Sequence, residues 1–201
     1  MAVGTDLDFP MHSEPLTPLM ARARAGDEEA LCDLVSRSYD RVFPVCRRVV
    51  GNDADAADAA REALVSTLRS IGEPQEDERY VTCLYRSAVR AAVSHTRRRA
   101  RRAAPGSNDV SLIACESDLD SMVESIDLDL ALLEVPPDLR VAVVLRDLCG
   151  LGYPQMGEVL EAPVHTVVER VASGRARLVE LLGSRLAPDA NPAVDGPSNR
   201  E

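Results

Sequence analysis

The chain has 201 residues, more than one small helical domain needs and enough for two, since domains of about 100 residues are typical. It holds no lysine, its 23 basic residues are all arginine, and 33 acidic ones bring the formal net charge to −10, which argues against a protein that coats DNA unaided through phosphate neutralisation. The start, MAVGTDLDFPMHSEP, lacks the basic and apolar regions of a signal peptide, and no stretch reaches about 18 apolar residues, so a soluble cytoplasmic protein is expected.

Residues 1–16 are acidic, proline-containing and without periodicity, and are expected to be disordered. Thr17 followed by Pro18 predicts a helix start, with Thr17 as N-cap, and Gly26 a stop. Asp27 can cap the next helix, where Ala30, Leu31, Leu34, Val35, Ser38 and Tyr39 recur at helical spacing. Pro44 is expected to kink or interrupt it near Asp40 to Phe43, before the pattern resumes and stops at Gly51-Asn52. Asp53 is the expected cap of a third helix to about Ile71, with Ala57, Ala60, Leu64, Leu68 and Ile71 as its apolar stripe and Asp55, Asp58 and Glu62 on another face. Residues 72–77 read as a turn.

The stretch Arg79 to Arg102, RYVTCLYRSAVRAAVSHTRRRARR, carries eight arginines and no Asp or Glu. At about 100° per residue, Arg79, Arg86, Arg90, Arg97 and Arg101 share one stripe, while Val81, Leu84, Tyr85, Ala88, Ala91 and Ala92 lie opposite. A charge run is most often a solvated face. Here the carboxylates that would pair with arginine at i±4 are absent, which favours a polyanion partner.

Residues 103–117 contain Pro-Gly-Ser-Asn and read as a linker. Asp109, Glu116, Asp118, Asp120, Glu124, Asp127, Asp129 and Glu134 make the segment after the basic helix strongly acidic, which suggests two different partners or self-masking. From Asp118, the spacing of Leu119, Met122, Val123, Ile126, Leu130 and Leu133 predicts a helix ended by Val135-Pro136-Pro137. Helices at Asp138 to Cys149, Tyr153 to Leu160 and Val164 to about Leu182 follow, the last two joined by Glu161-Ala162-Pro163 in a helix-turn-helix pattern. Residues 187–201 read as a disordered tail. The expected fold is all-α: a helical domain over 17–102 and a helix-turn-helix domain over 118–184.

Cys32, Cys46, Cys83, Cys115 and Cys149 are odd in number and lack CxxC spacing, so buried reduced thiols are expected. His12, His95 and His165 lack the spacing of a helix-borne metal site, so neither metal nor cofactor is expected. No nucleophile-base pattern, paired carboxylates or phosphate-cradling glycine loop points to an enzyme.

The segments ARAGDEEALCDLVSRSY, DADAADAAREALVSTLR and CLYRSAVRAAVSHTRRRAR resemble the second conserved region of bacterial sigma factors of the extracytoplasmic-function (ECF) type. LEVPPDLRVAVVLRDLCGLGYPQMGEVLEAPVHTVVERVASGRARLVELL is similar to the fourth. The resemblance implies a non-enzymatic subunit that joins RNA polymerase core, recognises promoter DNA and helps open it, with an anti-sigma factor or accessory protein as a controlling partner. It assigns polymerase contact to Asp55, Asp58, Arg61, Glu62, Leu64 and Leu68. It assigns the minus-ten element to Arg79, Tyr80, Tyr85, Arg86, Arg90, Arg97, Arg98 and Arg101. To the minus-thirty-five element it assigns His165, Thr166, Glu169, Arg170, Ser173, Arg175 and Arg177. Against the family pattern, Arg61, Leu64 and Leu68 replace a Gln and two aromatics, Cys83, Arg90 and Ser94 replace Trp, Asn and Asp, and Glu161 replaces the glycine of the turn. A second reading is a sigma-derived regulator that assists or antagonises another factor without initiating alone.

Overall fold

The computed structural model describes residues 16–69, 77–102 and 128–186, all helix and short connection. Helix α1 spans Thr17–Arg24, α2 Glu28–Val50, α3 Asp53–Leu68 and α4 Asp77–Arg102. Helix α5 covers 128–134, α6 Pro137–Val143, α7 Tyr153–Leu160 and α8 Val164–Leu186. The expected tails, the linker and the acidic start of α5 lie outside the described residues.

Local chemistry accounts for most boundaries, with small corrections. Leu16, not Thr17, stands at the N-cap of α1 and is buried, so order reaches one residue earlier than its polarity pattern suggests. The Asp27 carboxylate accepts the Ala30 N–H at 3.1 Å, as expected of a cap, and the Arg22 Nε–H at 2.8 Å; the two bonds hold its pKa below the usual carboxylate value. Asn52 rather than Asp53 caps α3, accepting from the Asp55 N–H at 2.9 Å, while Asp53 pairs with Arg47 across the turn.

Pro44 does not interrupt α2, which runs continuously from Glu28 to Val50. An internal proline costs about 3 kcal/mol, but Val42, Val45, Cys46, Val49 and Val50 all lie buried around it, and each buried valine contributes about 1.5 kcal/mol or more. Burial on both sides of Pro44 outweighs the lost hydrogen bond. Helix α2 ends where Gly51 adopts φ 86°, and a Cβ there would stand 2.5 Å from Leu133 Cδ2, so this glycine serves the turn and the approach of α5 together.

Helix α6 continues into a π-helical turn over Val144–Leu148, where the Cys149 N–H reaches back to the Val144 carbonyl at 3.2 Å. A plain helix over Asp138 to Cys149 is thereby corrected. The Arg146 guanidinium lies 4.7 Å above the Tyr153 ring and donates to the Leu151 carbonyl at 2.8 Å, fixing the connection into α7.

Helices α2, α3 and α4 pack mutually, with α1 on α2; α6 and α7 pack on α8. The two groups then close on each other through α4 against α7 and α2 against the α6 segment, and one apolar core runs through both. Buried cysteines Cys46 and Cys149 belong to that core, and burial pushes each thiol up to about 12, so both stay protonated; Cys32, expected inside, is exposed.

Arg140 locks the closure. Its guanidinium is buried and donates to the Val49 carbonyl of α2 at 2.6 Å and to the Leu133 and Val135 carbonyls at 2.6 and 3.0 Å. Burial lowers its pKa to about 10, which still leaves it charged at neutral pH. Replacing Arg140 with Leu strands three carbonyls, and unfolding in urea should show a loss of about 3 kcal/mol or more, at about 1–3 kcal/mol for each acceptor left dry. An unchanged midpoint would mean that water replaces the guanidinium at no cost.

Candidate nucleic-acid interface

Helix α4 divides as its periodicity predicts. Leu84, Tyr85, Ala88, Ala91 and Ala92 are buried against α2 and α3, and Arg79, Arg90, Arg97, Arg98 and Arg101 are exposed, with Arg86 half-buried. The stretch from Val89 to Arg101 forms an open groove of about 430 Å³ lined by Arg90, Ser94, Arg97, Arg98 and Arg101 over an apolar floor of Val89 and Val93. Among the described residues that line it none is a carboxylate, although Arg90 reaches Glu161 outside it at 2.6 Å, and a lining of this charge suits a phosphate backbone.

Tyr80 and Tyr85, which the resemblance puts on this face, are core residues, each 1% exposed, and for Tyr85 this is the side that its periodicity gives. The Tyr80 hydroxyl bonds Ser38 Oγ at 2.8 Å, and the Tyr85 hydroxyl meets the Cys149 thiol between the two helix groups. Burial raises the pKa of both phenols. The physical reason is that a buried phenol with a hydrogen-bond partner contributes apolar area without leaving its hydroxyl unsatisfied. No aromatic ring therefore remains on the outer face of the described helix for a base to stack upon.

Helix α8 is seated through Val167, Val171, Leu178 and Leu181, and through Gly174, where a Cβ would meet Val143 Cγ2 at 2.5 Å and the Leu139 carbonyl at 3.0 Å. Its outer face presents Val164, His165, Val168, Glu169 and Ser173, with Thr166 and Arg170 half-buried. Two of its arginines are engaged: Arg175 forms a fork with Asp147, its Nε at 2.9 Å from Oδ2, and Arg177 bonds Glu180 at 2.7 Å. The Asp147 carboxylate raises the pKa of Arg175. Phosphate contacts by these two must displace carboxylates already in place.

The third candidate surface is the outer face of α3. Asp58, Arg61 and Glu62 are exposed and Asp55 is half-buried, with Arg61 bonded to Asp58 at 2.6 Å. His95 of α4 lies beside it, Nε2 at 3.4 Å from Glu62 and Nδ1 at 3.9 Å from Asp55. Leu64, on the apolar stripe by periodicity and a polymerase contact by resemblance, is a core residue and Leu68 a half-buried one, because the inward stripe runs Ala56, Ala59, Ala60, Ala63, Leu64 and Thr67. Val65, 51% exposed, is the apolar group this face offers, and a stripe drawn one residue off hid it.

Comparison with known proteins gives the family of the chain. The family model described as Sigma-70 region 2 matches residues 34–102, and that described as Sigma-70, region 4 matches residues 125–178. The ECF RNA polymerase sigma-E factor of Escherichia coli K12 is 31% identical over 180 residues, covering 81% of this chain and 93% of that one. The chain belongs to the sigma-70 family, in its ECF type. The RNA polymerase sigma-H factor of Pseudomonas aeruginosa is 29% identical over 179 residues, 82% of this chain and 92% of its own. In fold, this sigma factor is similar to CnrH in complex with the cytosolic domain of CnrY, with a TM-score of 0.64 at 19% identity over 85% of this chain and 99% of that one. It is also similar to the sigma factor RpoE in complex with the anti-sigma factor NepR from Bartonella quintana, with a TM-score of 0.58 at 20% identity over 76% and 96%. No helix among the described residues is long and apolar enough to cross a membrane.

Two residues that matter to the geometry of this sigma factor are hard to find from sequence. Arg140 looks like one more surface cation, and only its three carbonyl partners reveal a clamp. Glu161 stands out as a departure in a turn, yet its reach to α4 depends on the closure of the two helix groups. The α4 groove generates a direct prediction. Reversing Arg97 and Arg101 to Glu should weaken binding of the polymerase-bound factor to promoter DNA and flatten the dependence of log affinity on log salt by about one unit for each phosphate no longer neutralised, without moving Tm. A wild-type salt slope in filter binding would remove this groove from the DNA path.

Proposed function

We propose that this sigma factor uses three separate surfaces of its two helical regions to do what its family does, binding RNA polymerase core and directing promoter-specific initiation. In this reading residues 17–102 are the region 2-like domain, 103–117 a linker and 118–184 the region 4-like domain, and the protein works in the cytoplasm as a binding subunit without catalytic groups of its own. The outer face of α3, with Asp58, Arg61, Glu62 and Val65, contacts polymerase. The α4 arginines follow the minus-ten element and α8 enters the major groove of the minus-thirty-five element.

The carrying observation is the segregation on α4, where Leu84, Tyr85, Ala88, Ala91 and Ala92 are committed to the core and the other side bears arginines along a groove with no carboxylate among its described lining residues. On α8, exposed Val168 suits contact with a thymine methyl group, and exposed Glu169 can accept from cytosine N4. An anti-sigma factor fits the same assignment, since a protein that covers α4 and α8 would silence both readers. A purified factor with core polymerase should support promoter-specific transcription, and failure to do so would favour the regulator that acts only through another factor.

The polymerase surface is tested separately. Asp58→Arg with Glu62→Arg should abolish co-purification with core polymerase while leaving Tm unchanged, because both carboxylates are exposed. A normal yield of complex would count against α3 as the contact. For α8, Glu169→Gln should relax preference at one base pair by about 1–3 kcal/mol in binding-site selection if the carboxylate reads cytosine. A uniform gain across all sites would instead assign Glu169 to phosphate repulsion.

A further inference from the structure

Two arginines of α4 are not free to meet DNA. The Arg90 guanidinium bonds Glu161 Oε1 at 2.6 Å. Arg86 donates through Nε at 3.1 Å and Nη2 at 2.8 Å to the Glu158 carbonyl, and its Nε lies 3.9 Å from Glu161. Both acceptors sit at the C-terminal end of α7, where the last carbonyls of a helix lack intrahelical partners and the dipole is negative. The Arg90 hydrogen bond, followed by the field of Arg90 and of Arg86, holds the Glu161 carboxyl below the usual range.

Glu161 makes these contacts from a costly position. It has φ 51° and ψ 43°, and it is the one non-glycine residue with positive φ among the described residues. A left-handed conformation costs an L-residue about 1–2 kcal/mol, and glycine would avoid that cost. The turn thus carries a strained carboxylate where an unstrained residue would serve the turn better, and that carboxylate lands on the two central arginines of α4.

We propose that Glu161 is an intramolecular latch that, beside the Arg140 clamp and the shared apolar core, tips the free factor toward a closed form, with α7 of the helix-turn-helix against the middle of the α4 nucleic-acid face. The inference rests on the assignment of α4 and α8 to the two promoter elements, and geometry makes the closed form incompetent for both at once. Elements centred about 25 base pairs apart are separated by about 85 Å at about 3.4 Å per step. Helix α8 begins three residues after Glu161 and its 23 residues span about 35 Å, while half of α4 adds about 20 Å. The two readers cannot span the promoter until the Glu161 side chain parts from α4. Polymerase, by holding the regions separately, would supply the free energy of opening.

The test uses the full-length chain without polymerase. Small-angle scattering gives the radius of gyration, and fluorescence anisotropy gives affinity for a mixed-sequence single-stranded oligonucleotide as a generic polyanion. Glu161→Gly, which relieves the left-handed strain, and Glu161→Gln, which removes only the charge, should both enlarge the radius. Each should tighten oligonucleotide binding by about threefold to tenfold, the scale of one or two exposed ion pairs. Acidification through the Glu161 carboxyl should open the wild-type chain in the same way, because its folded pKa is depressed and the ion pair with Arg90 disappears as pH falls through it. An unchanged radius in both variants overturns the latch, whatever happens to affinity, since tighter binding without opening reports only the loss of a negative charge. The radius is read without promoter or polymerase, so its outcome is separate from failure of the promoter reading itself.

Discussion

One buried guanidinium holds the arrangement on which the other contacts depend. Arg140 reaches from α6 to the last turn of α2, and its three carbonyl acceptors come from two helix groups and the connection between α5 and α6. The carbonyls of Val49, Leu133 and Val135 lie where helices end and have no ladder partner of their own, so the cation satisfies groups that burial would otherwise leave costly. Burying an arginine without a carboxylate is expensive, and here three carbonyl acceptors offset that expense. With α2 fixed against α6, the Arg48 to Asp129 pair at 3.2 Å and the contact of Gly51 with Leu133 follow on the same seam. Farther along it, Tyr85 meets Cys149, and beyond them Arg86 and Arg90 reach Glu158 and Glu161.

The seam gives the closed factor two kinds of adhesion. Apolar groups and the Arg140 bonds are shielded from salt, whereas the Glu161 ion pairs are exposed and screened within about 10 Å at moderate ionic strength. The exposed part is therefore the adjustable part. It also occupies arginines of the proposed minus-ten surface, so under that proposal closure and DNA binding compete for the same guanidinium groups.

Burial of Tyr80 and Tyr85 shifts the chemistry of the α4 face. Base stacking on aromatic rings contributes about 1–3 kcal/mol per base in single-strand binding, and the described outer face offers no ring for it. Attraction there rests on guanidinium and phosphate, which carries strong salt dependence and little sequence information. Under the proposed assignment sequence discrimination falls more heavily on α8, where Val168 and Glu169 are exposed and Arg175 and Arg177 are partly neutralised by Asp147 and Glu180.

Periodicity and capping by themselves determined the all-helical class, the boundaries of most helices to within a residue or two, the two-sided character of α4 and the helix-turn-helix of α7 and α8. Those features are local, set by side chains three or four residues apart and by Gly26, Asp27 and Gly51 at the ends. The sequence motifs also carried the family. Only the tertiary structure decided that α2 passes through Pro44, since burial on either side of it is supplied by other helices. Periodicity already put Tyr85 and Leu64 on apolar sides, but Tyr80 went to the core and Val65 to the surface because a helical wheel orders residues by angle and does not say where neighbouring helices press. The roles of Arg140 and Glu161 needed partners 91 and 71 residues away, and charge alone in a linear chain does not reveal which carbonyl or guanidinium the fold will bring to it.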